Sequence, residues 1–472
     1  MICSVRKQLA ALLLSALVAM LVVVCFLARP EPAQAIPAFA RKYGMPCSAC
    51  HEAWPKLSEF GLTFRDNGYQ LGNERDSPIW QNSSYIPITI RVTPNWHRES
   101  TNRLSVDTVQ GMAGSPQQEI GSSSGGFDLS GMDLWAAGTL YKNISFVVLP
   151  SSDSSASFHF ESAFIRFDNL LHSRWLNVKF GKHELDGPEF LSEKRILWLS
   201  ANGGYYQGYH FEPVGDSNTF GFGNNQLGME LSGHSRNSLT RYAVDVLSDN
   251  GGNPNLPSGN QYDVYGHFSQ AFQVPKLGQQ RLGAFLYDGH AATYFLTSNG
   301  TPIPGTGRGS EPFYRFGAYG TFYFGKLDVT PLYMYGQDSV YLGTSTPVNL
   351  GPAGLPVGAQ GPSWNSTVVE VHYTVNPQLI AIGKYDFVRM RQQALPIGSL
   401  VALPTGGMTT VTPDLGNTDA WSIGYRWYPI MFSRAGLAFQ GEYANVRTVG
   451  TAPVTNRNTT NSSVFFGFDF DF

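Results

Sequence analysis

The sequence predicts an all-β protein, a transmembrane antiparallel barrel of about sixteen strands preceded by a small helical segment. Three observations lead there. Charged residues make up only 14% of the 472, aromatics make up 13%, and there are 51 glycines; an average soluble domain carries about 25% charge. Beyond residue 85, short runs of alternating apolar and polar residues are separated by Gly, Pro, Asn, Asp and Ser, and none is long and apolar enough for a transmembrane helix. The chain also ends on an aromatic strand, with Val464, Phe466, Phe468, Phe470 and Phe472 on one face. Gly467, Asp469 and Asp471 take the other face, with Phe465 as the exception. A closed barrel is one of two ways to satisfy every backbone group in lipid. A last strand ending in Phe is the usual closing signal of bacterial outer-membrane barrels. A soluble sandwich or propeller explains the alternation but neither the aromatic excess nor that ending. A net charge of −3 argues against a nucleic-acid partner.

Residues 1–35 read as an export signal. Arg6 and Lys7 form a basic start, residues 8–28 an almost unbroken apolar run, and Ala33-Gln34-Ala35 a cleavage site. The competing reading is an uncleaved inner-membrane anchor, since about 20 apolar residues can cross a bilayer. Cys3 and Cys25 fall inside this segment, so the mature chain keeps only Cys47 and Cys50.

Those two cysteines stand in Cys47-Ser48-Ala49-Cys50-His51, the C-x-x-C-H pattern that attaches haem of the c type. Two thiols at this spacing can each form a thioether with a haem vinyl group, and the adjacent imidazole becomes the proximal ligand of the iron. A thioredoxin-like site needs a βαβ context, a structural zinc site needs a fourth ligand, and a plain disulfide leaves His51 without a role. Trp54 and Pro55 then open a helix of about 15 residues, with Leu57, Phe60 and Phe64 on its apolar face and Asn67-Gly68 as its stop. The sixth ligand is not legible. Met45 is awkwardly close to Cys47, and His97, Met112, Met132, His159 and His183 are the later candidates. An open sixth position is the further option, and with it peroxide chemistry.

The division is therefore a signal over 1–35, a monohaem segment over 36–84 acting as a plug in the pore, and a barrel over 85–472. Ile86, Ile88, Ile90 and Val92 alternate, as do Val178 and Phe180. Phe158, Phe160, Ser162, Phe164 and Arg166 are assigned to one strand face, Val369, Val371, Tyr373 and Val375 to another, and Ile380, Ile382, Lys384 and Asp386 to a third. Lys142-Asn143, Gly325-Lys326 and Asn376-Pro377 read as tight turns, and roughly 248–260, 291–311, 339–363, 391–417 and 446–462 as long outer loops. Asp186, Glu189, Glu193 and Lys194 read as solvated loop or pore-lining charges.

The run Pro37-Ala38-Phe39-Ala40-Arg41, Gly44-Met45-Pro46-Cys47-Ser48-Ala49-Cys50-His51, Pro55-Lys56-Leu57, Phe60-Gly61 and Asn67-Gly68-Tyr69 resembles the N-terminus of the fused outer-membrane cytochrome–porins, candidate ferrous iron oxidases of iron-oxidising bacteria. The resemblance implies covalent haem on Cys47 and Cys50, with His51 as proximal ligand. It further implies an electron conduit of the ferrous iron:cytochrome c oxidoreductase type, with extracellular Fe(II) as donor and a periplasmic cytochrome or copper protein as acceptor. The alternative is a porin-like solute channel with a haem-bearing plug or sensor. Either way the expected surroundings are outer-membrane lipid.

Overall fold

The computed structural model describes residues 39, 42–53, 56–71, 88–109, 117–152, 157–188, 197, 221–248, 261–292, 310–339, 358–402, 408–431, 436–450 and 457–471. The export segment, Trp54, Pro55, Ile86, Met112, Glu189, Glu193, Lys194, Phe472 and most of the long outer loops lie outside the described residues.

Sixteen strands close into one antiparallel barrel. In chain order they are β1 (Ile88–Asp107), β2 (Gln117–Tyr141), β3 (Ile144–Ser152), β4 (Phe158–Phe167), β5 (Asn177–His183), β6 (Gln226–His234), β7 (Thr240–Ser248) and β8 (Tyr262–Val274). The second half is β9 (Gly278–Ala292), β10 (Ser310–Phe324), β11 (Leu327–Gln337), β12 (Ser363–Asn376), β13 (Leu379–Gln392), β14 (Thr418–Met431), β15 (Gly436–Thr448) and β16 (Thr459–Asp471). Neighbours in sequence are neighbours in the wall. The last strand returns to the first, from Asn461 opposite Thr101 to Asp471 opposite Arg91. No edge is left, which is what lipid demands of a sheet.

The wall separates two chemistries along each strand. On β8, Tyr262, Val264, Phe268 and Phe272 are exposed while Asp263, Tyr265, His267 and Ser269 are buried. On β9, Leu282 and Leu286 face out, and Arg281, Phe285 and Tyr287 face in. The final strand follows the predicted alternation: Phe466 and Phe468 point outward, and Phe465, Asp469 and Asp471 are buried inside. Apolar outside and polar inside is the signature of a barrel that crosses lipid, and the protein is an outer-membrane barrel.

One predicted face is corrected. Phe158 and Phe160 are more than half exposed, whereas Ser162 and Arg166 are buried. The register steps from Leu149 opposite Ser162 to Pro150 opposite Phe160, so Glu161 is an extra residue in the ladder. Such a bulge reverses the in–out parity beyond it.

The tight turns lie at one end. Tyr141 pairs with Ile144 across Lys142-Asn143, Phe324 with Leu327 across Gly325-Lys326, and Asn376 with Leu379 around Pro377. Connections 249–261, 293–309, 338–362 and 393–417 join strands at the other end. Short turns mark the periplasmic mouth and long loops the outside.

Leu286 sits mid-strand on the outer face of β9. Leu286→Arg should cost about 2–4 kcal/mol in denaturant titrations of the barrel refolded in vesicles; no measurable loss would put this face away from lipid.

Candidate functional site in the barrel mouth

The segment ahead of the barrel is a small folded plug. Phe39, Lys42 and Tyr43 are helical, and the single turn Cys47–Cys50 is α1. His51–Ala53 then pairs antiparallel with Lys56–Leu57. The next helix, α2, spans Glu59–Asp66, shorter than the predicted 15 residues and later in its start. Ser58 explains both differences. Its hydroxyl oxygen accepts from the Gly61 amide (3.2 Å) and its proton goes to the Ala49 carbonyl (3.0 Å), which caps α2 and ties it to α1. Leu57 is thereby left in the extended pair. The buried face is Gly61, Leu62 and Phe64, while Phe60 is 42% exposed. Gly61 is required: a Cβ there would lie 2.0 Å from the Cys50 carbonyl oxygen. The predicted stop holds, with Asn67 as C-cap and Gly68 at φ +80°.

Buried ion pairs hold the plug in the periplasmic mouth. Lys56 Nζ lies 2.9 Å from Glu52 and 3.1 Å from Asp328 of β11, beside His372 of β12. Tyr323 of β10 donates to Glu52 (2.9 Å), and Arg281 of β9 reaches Glu59 (3.4 Å). At the other end of α2, Arg241 of β7 binds Asp66 (3.0 Å), and Arg166 of β4 donates to the Arg65 carbonyl (2.7 Å). Arg65, Arg241 and His267 converge on Asp186, in the connection between β5 and β6. The described residues of that connection include three that lie inside: Leu185, Leu197 and Phe222 pack with Ala53 of the plug and with Tyr265, Phe285, Tyr287 and Phe313 of the wall. Of the two readings for Asp186, the structure favours a charge lining the lumen, held by three partners, over a solvated loop charge.

Burial drives the Lys56 ammonium down, but Glu52 and Asp328 outweigh it and hold the pKa well above the usual lysine value. Burial likewise pushes Asp186 up, yet its bond to His267 and the charges of His267 and Arg65 leave it lowered. Glu59 is raised, because its burial exceeds the pull of Arg281.

Between the plug and the wall of β1–β7 lies a cavity that is open at its mouth. Cys47, Cys50 and His51 all line it. Phe39, Met45, Leu57 and Phe64 add apolar surface from the plug, and Trp135, Val147 and Phe164 from the wall. Arg65, Arg91, Arg166 and Arg241 border it too, the group type that pairs with carboxylates. No disulfide joins the two cysteines, and burial pushes Cys50 up to about 11. His234, at the end of β6, lines the same cavity.

The distal candidates from sequence do not gather here. His97 hydrogen-bonds Asn95 (3.0 Å), six residues along β1 from the cavity-lining Arg91, or roughly 20 Å further up the wall. Met132 and His159 are likewise not among the cavity-lining residues. His183 is fully buried and bonded to Asp245 (2.8 Å). With Glu230 these two bring ligand-type atoms within 4.8 Å of one another in the lumen wall. His234 was missed because a lone histidine before Ser235 carries no local signal.

No family model and no curated protein matches this chain. Among solved structures, the outer-membrane channel DcaP of Acinetobacter baumannii is similar at TM-score 0.45 and 9% identity, over 80% of this chain and 97% of that one. OprB of Pseudomonas putida is similar at 0.44 and 10%, over 81% and 94%. A loop-deletion mutant of OmpT of Vibrio cholerae is similar at 0.42 and 9%, over 82% and 100%. The fold itself rests on the closed strand order of this chain.

Two predictions follow from the docking geometry. Lys56→Met leaves Glu52 with the Tyr323 hydroxyl and Asp328 with His372 but removes the cation they share, a cost of about 1–3 kcal/mol; limited proteolysis should then cleave between residues 56 and 71, where the parent protein resists. On pH, the raised Lys56 contributes below the ordinary lysine pKa of about 10.4 and is lost only as pH climbs through its higher docked value. The lowered Asp186 contributes above about 3.9 and is lost as pH falls through its still lower docked value. The raised Glu59 favours docking most below about 4.3, and its share fades as pH rises through the docked value. Protease resistance should therefore persist from mildly acidic to mildly alkaline pH; loosening at pH 5–6 would contradict this assignment.

Proposed function

We propose that this protein carries electrons at the outer membrane through one haem c bound to Cys47 and Cys50, with His51 as an axial ligand. The donor is extracellular, with ferrous iron favoured by the resemblance of residues 37–69, and the acceptor is a periplasmic cytochrome or copper protein. The activity is then of the ferrous iron:cytochrome c type. The observation that carries this reading is the convergence of two cysteine thiols and an imidazole on one largely apolar cavity. Aromatic and aliphatic walls suit a flat macrocycle, and bordering guanidinium groups suit its carboxylates. When bound, the haem supplies a one-electron centre.

The chain's own residues set the rest. Ser58 and Gly61 press α2 onto α1 and fix the thiols relative to His51. Phe64, Trp135 and Phe164 give the cavity apolar walls. The ion pairs of Lys56 and Asp66 hold the site at the periplasmic end, within reach of a soluble acceptor. A small donor entering from outside meets a lumen lined with carboxylates and imidazoles interleaved with guanidinium and ammonium groups. The set of His183, Glu230 and Asp245 is of metal-ligand type, and Glu230 also borders the cavity.

A second reading is a porin-like solute channel with a haem-bearing plug or sensor, and the closed barrel with its charged inner wall favours it. Against a wide pore stand the docked plug and the inward connection.

The deciding measurement is the reduced-minus-oxidised absorption spectrum of the detergent-extracted protein, with ferrous iron as sole reductant. Reduced c-type bands are expected, and the Cys47→Ala, Cys50→Ala double variant should lose covalent haem altogether. Bands with dithionite but not with ferrous iron would remove the iron assignment. A large conductance in planar bilayers, indifferent to haem redox state, would favour the channel.

A further inference from the structure

We infer that His234 supplies the second axial ligand to the haem iron, with His51 the first; this rests on the haem reading above. Four facts carry it. His234 lines the cavity that also holds Cys47, Cys50 and His51. It belongs to β6 in the barrel wall, not to the plug that carries the thiols. Its Nδ1 lies 2.9 Å from the Ser235 carbonyl oxygen, which can only accept, so Nδ1 carries the proton. The remaining lone pair is on Nε2, and that atom is buried with no hydrogen-bond partner.

That last fact separates His234 from the other buried histidines. His183 engages the Gly181 carbonyl and Asp245, His267 engages Asp186 and Tyr319, and His372 engages Asp328 and Glu370, each through its two ring nitrogens. Only His234 of these four presents an unsatisfied nitrogen while its other nitrogen is fixed by a carbonyl. This is how metal-binding imidazoles are normally oriented. The competing groups in the cavity are less suited. Lys179 is committed to Glu230 at 2.6 Å, and Met45 is only two residues ahead of Cys47 on the plug.

The assignment has two consequences. Filling both axial positions leaves no open site for peroxide chemistry. It also makes the cofactor a cross-link between plug and wall, added to the ion pairs.

The test uses the full chain matured with haem in a host that attaches it, and three readouts. Covalent haem is counted by the pyridine haemochrome, spin state by electron paramagnetic resonance of the oxidised protein, and ligand type by the long-wavelength thioether-to-iron band. The parent protein should be low-spin with two imidazoles and no thioether band. His234→Ala should keep its covalent haem, turn high-spin, and return to low-spin on adding imidazole. His234→Met should show the thioether band and a higher reduction potential. A high-spin parent, a thioether band in the parent, or a low-spin His234→Ala with full haem content would each overturn the ligand assignment while leaving the haem in place. Absence of covalent haem in the parent would overturn the haem reading itself.

Discussion

Closure of the hydrogen-bonded ladder between the last strand and the first is the constraint on which the rest depends. In lipid no water is available for an unpaired N–H or C=O, so a sheet must end on itself. Asn461–Asp471 running against Arg91–Thr101 achieves this. Closure also creates an inside. The residues that alternate away from lipid then line a lumen, where Arg315 pairs with Asp338 beside the next strand, Lys384 with Asp386 on its own strand, and Arg426 with Asp469 two strands along.

Such an interior gives a charged plug a reason to stay and only one way to sit. Removing Lys56, Arg65 and Asp66 from water is costly, and the cost is recovered only where opposite charges already stand in the wall. Asp328, Asp186 and Arg241 are those positions. A shift along the mouth would leave several buried charges without partners, so the pairs fix position more than they add stability. They also divide the plug. One side binds β9–β12 through Glu52, Lys56 and Glu59, and the opposite side faces β1–β7 across the cavity.

This division sets the direction of any traffic. The plug occupies the short-turn end, so a redox centre there lies near the periplasm, and the lumen with its inward connection lies between it and the outside. On the proposed electron-carrier reading, a donor from outside would come in through the barrel, past Phe222 and Tyr265 and along the charged and imidazole side chains of β5–β8. A protein acceptor needs no entry at all.

The sequence by itself determined the features written in local periodicity and fixed spacing. Alternation set the wall, and it was right for β12, β13 and β16, where each residue's face depends only on parity. The thiol spacing and the adjacent His51 were equally local, as were the tight turns at Lys142-Asn143 and Gly325-Lys326. Parity failed at Glu161, because a bulge is decided by the partner strand. The helix limits failed at Leu57, because Ser58 and the pairing with His51 compete with helical spacing. Tertiary structure alone decided what meets across the lumen: Lys56 with Asp328, Asp66 with Arg241, and His234 with the thiol cavity. Those partners are separated by more than 170 residues in every case, and no rule of spacing connects them. Only the closed ladder, by fixing strand order and register around the ring, brings them to one depth of the barrel.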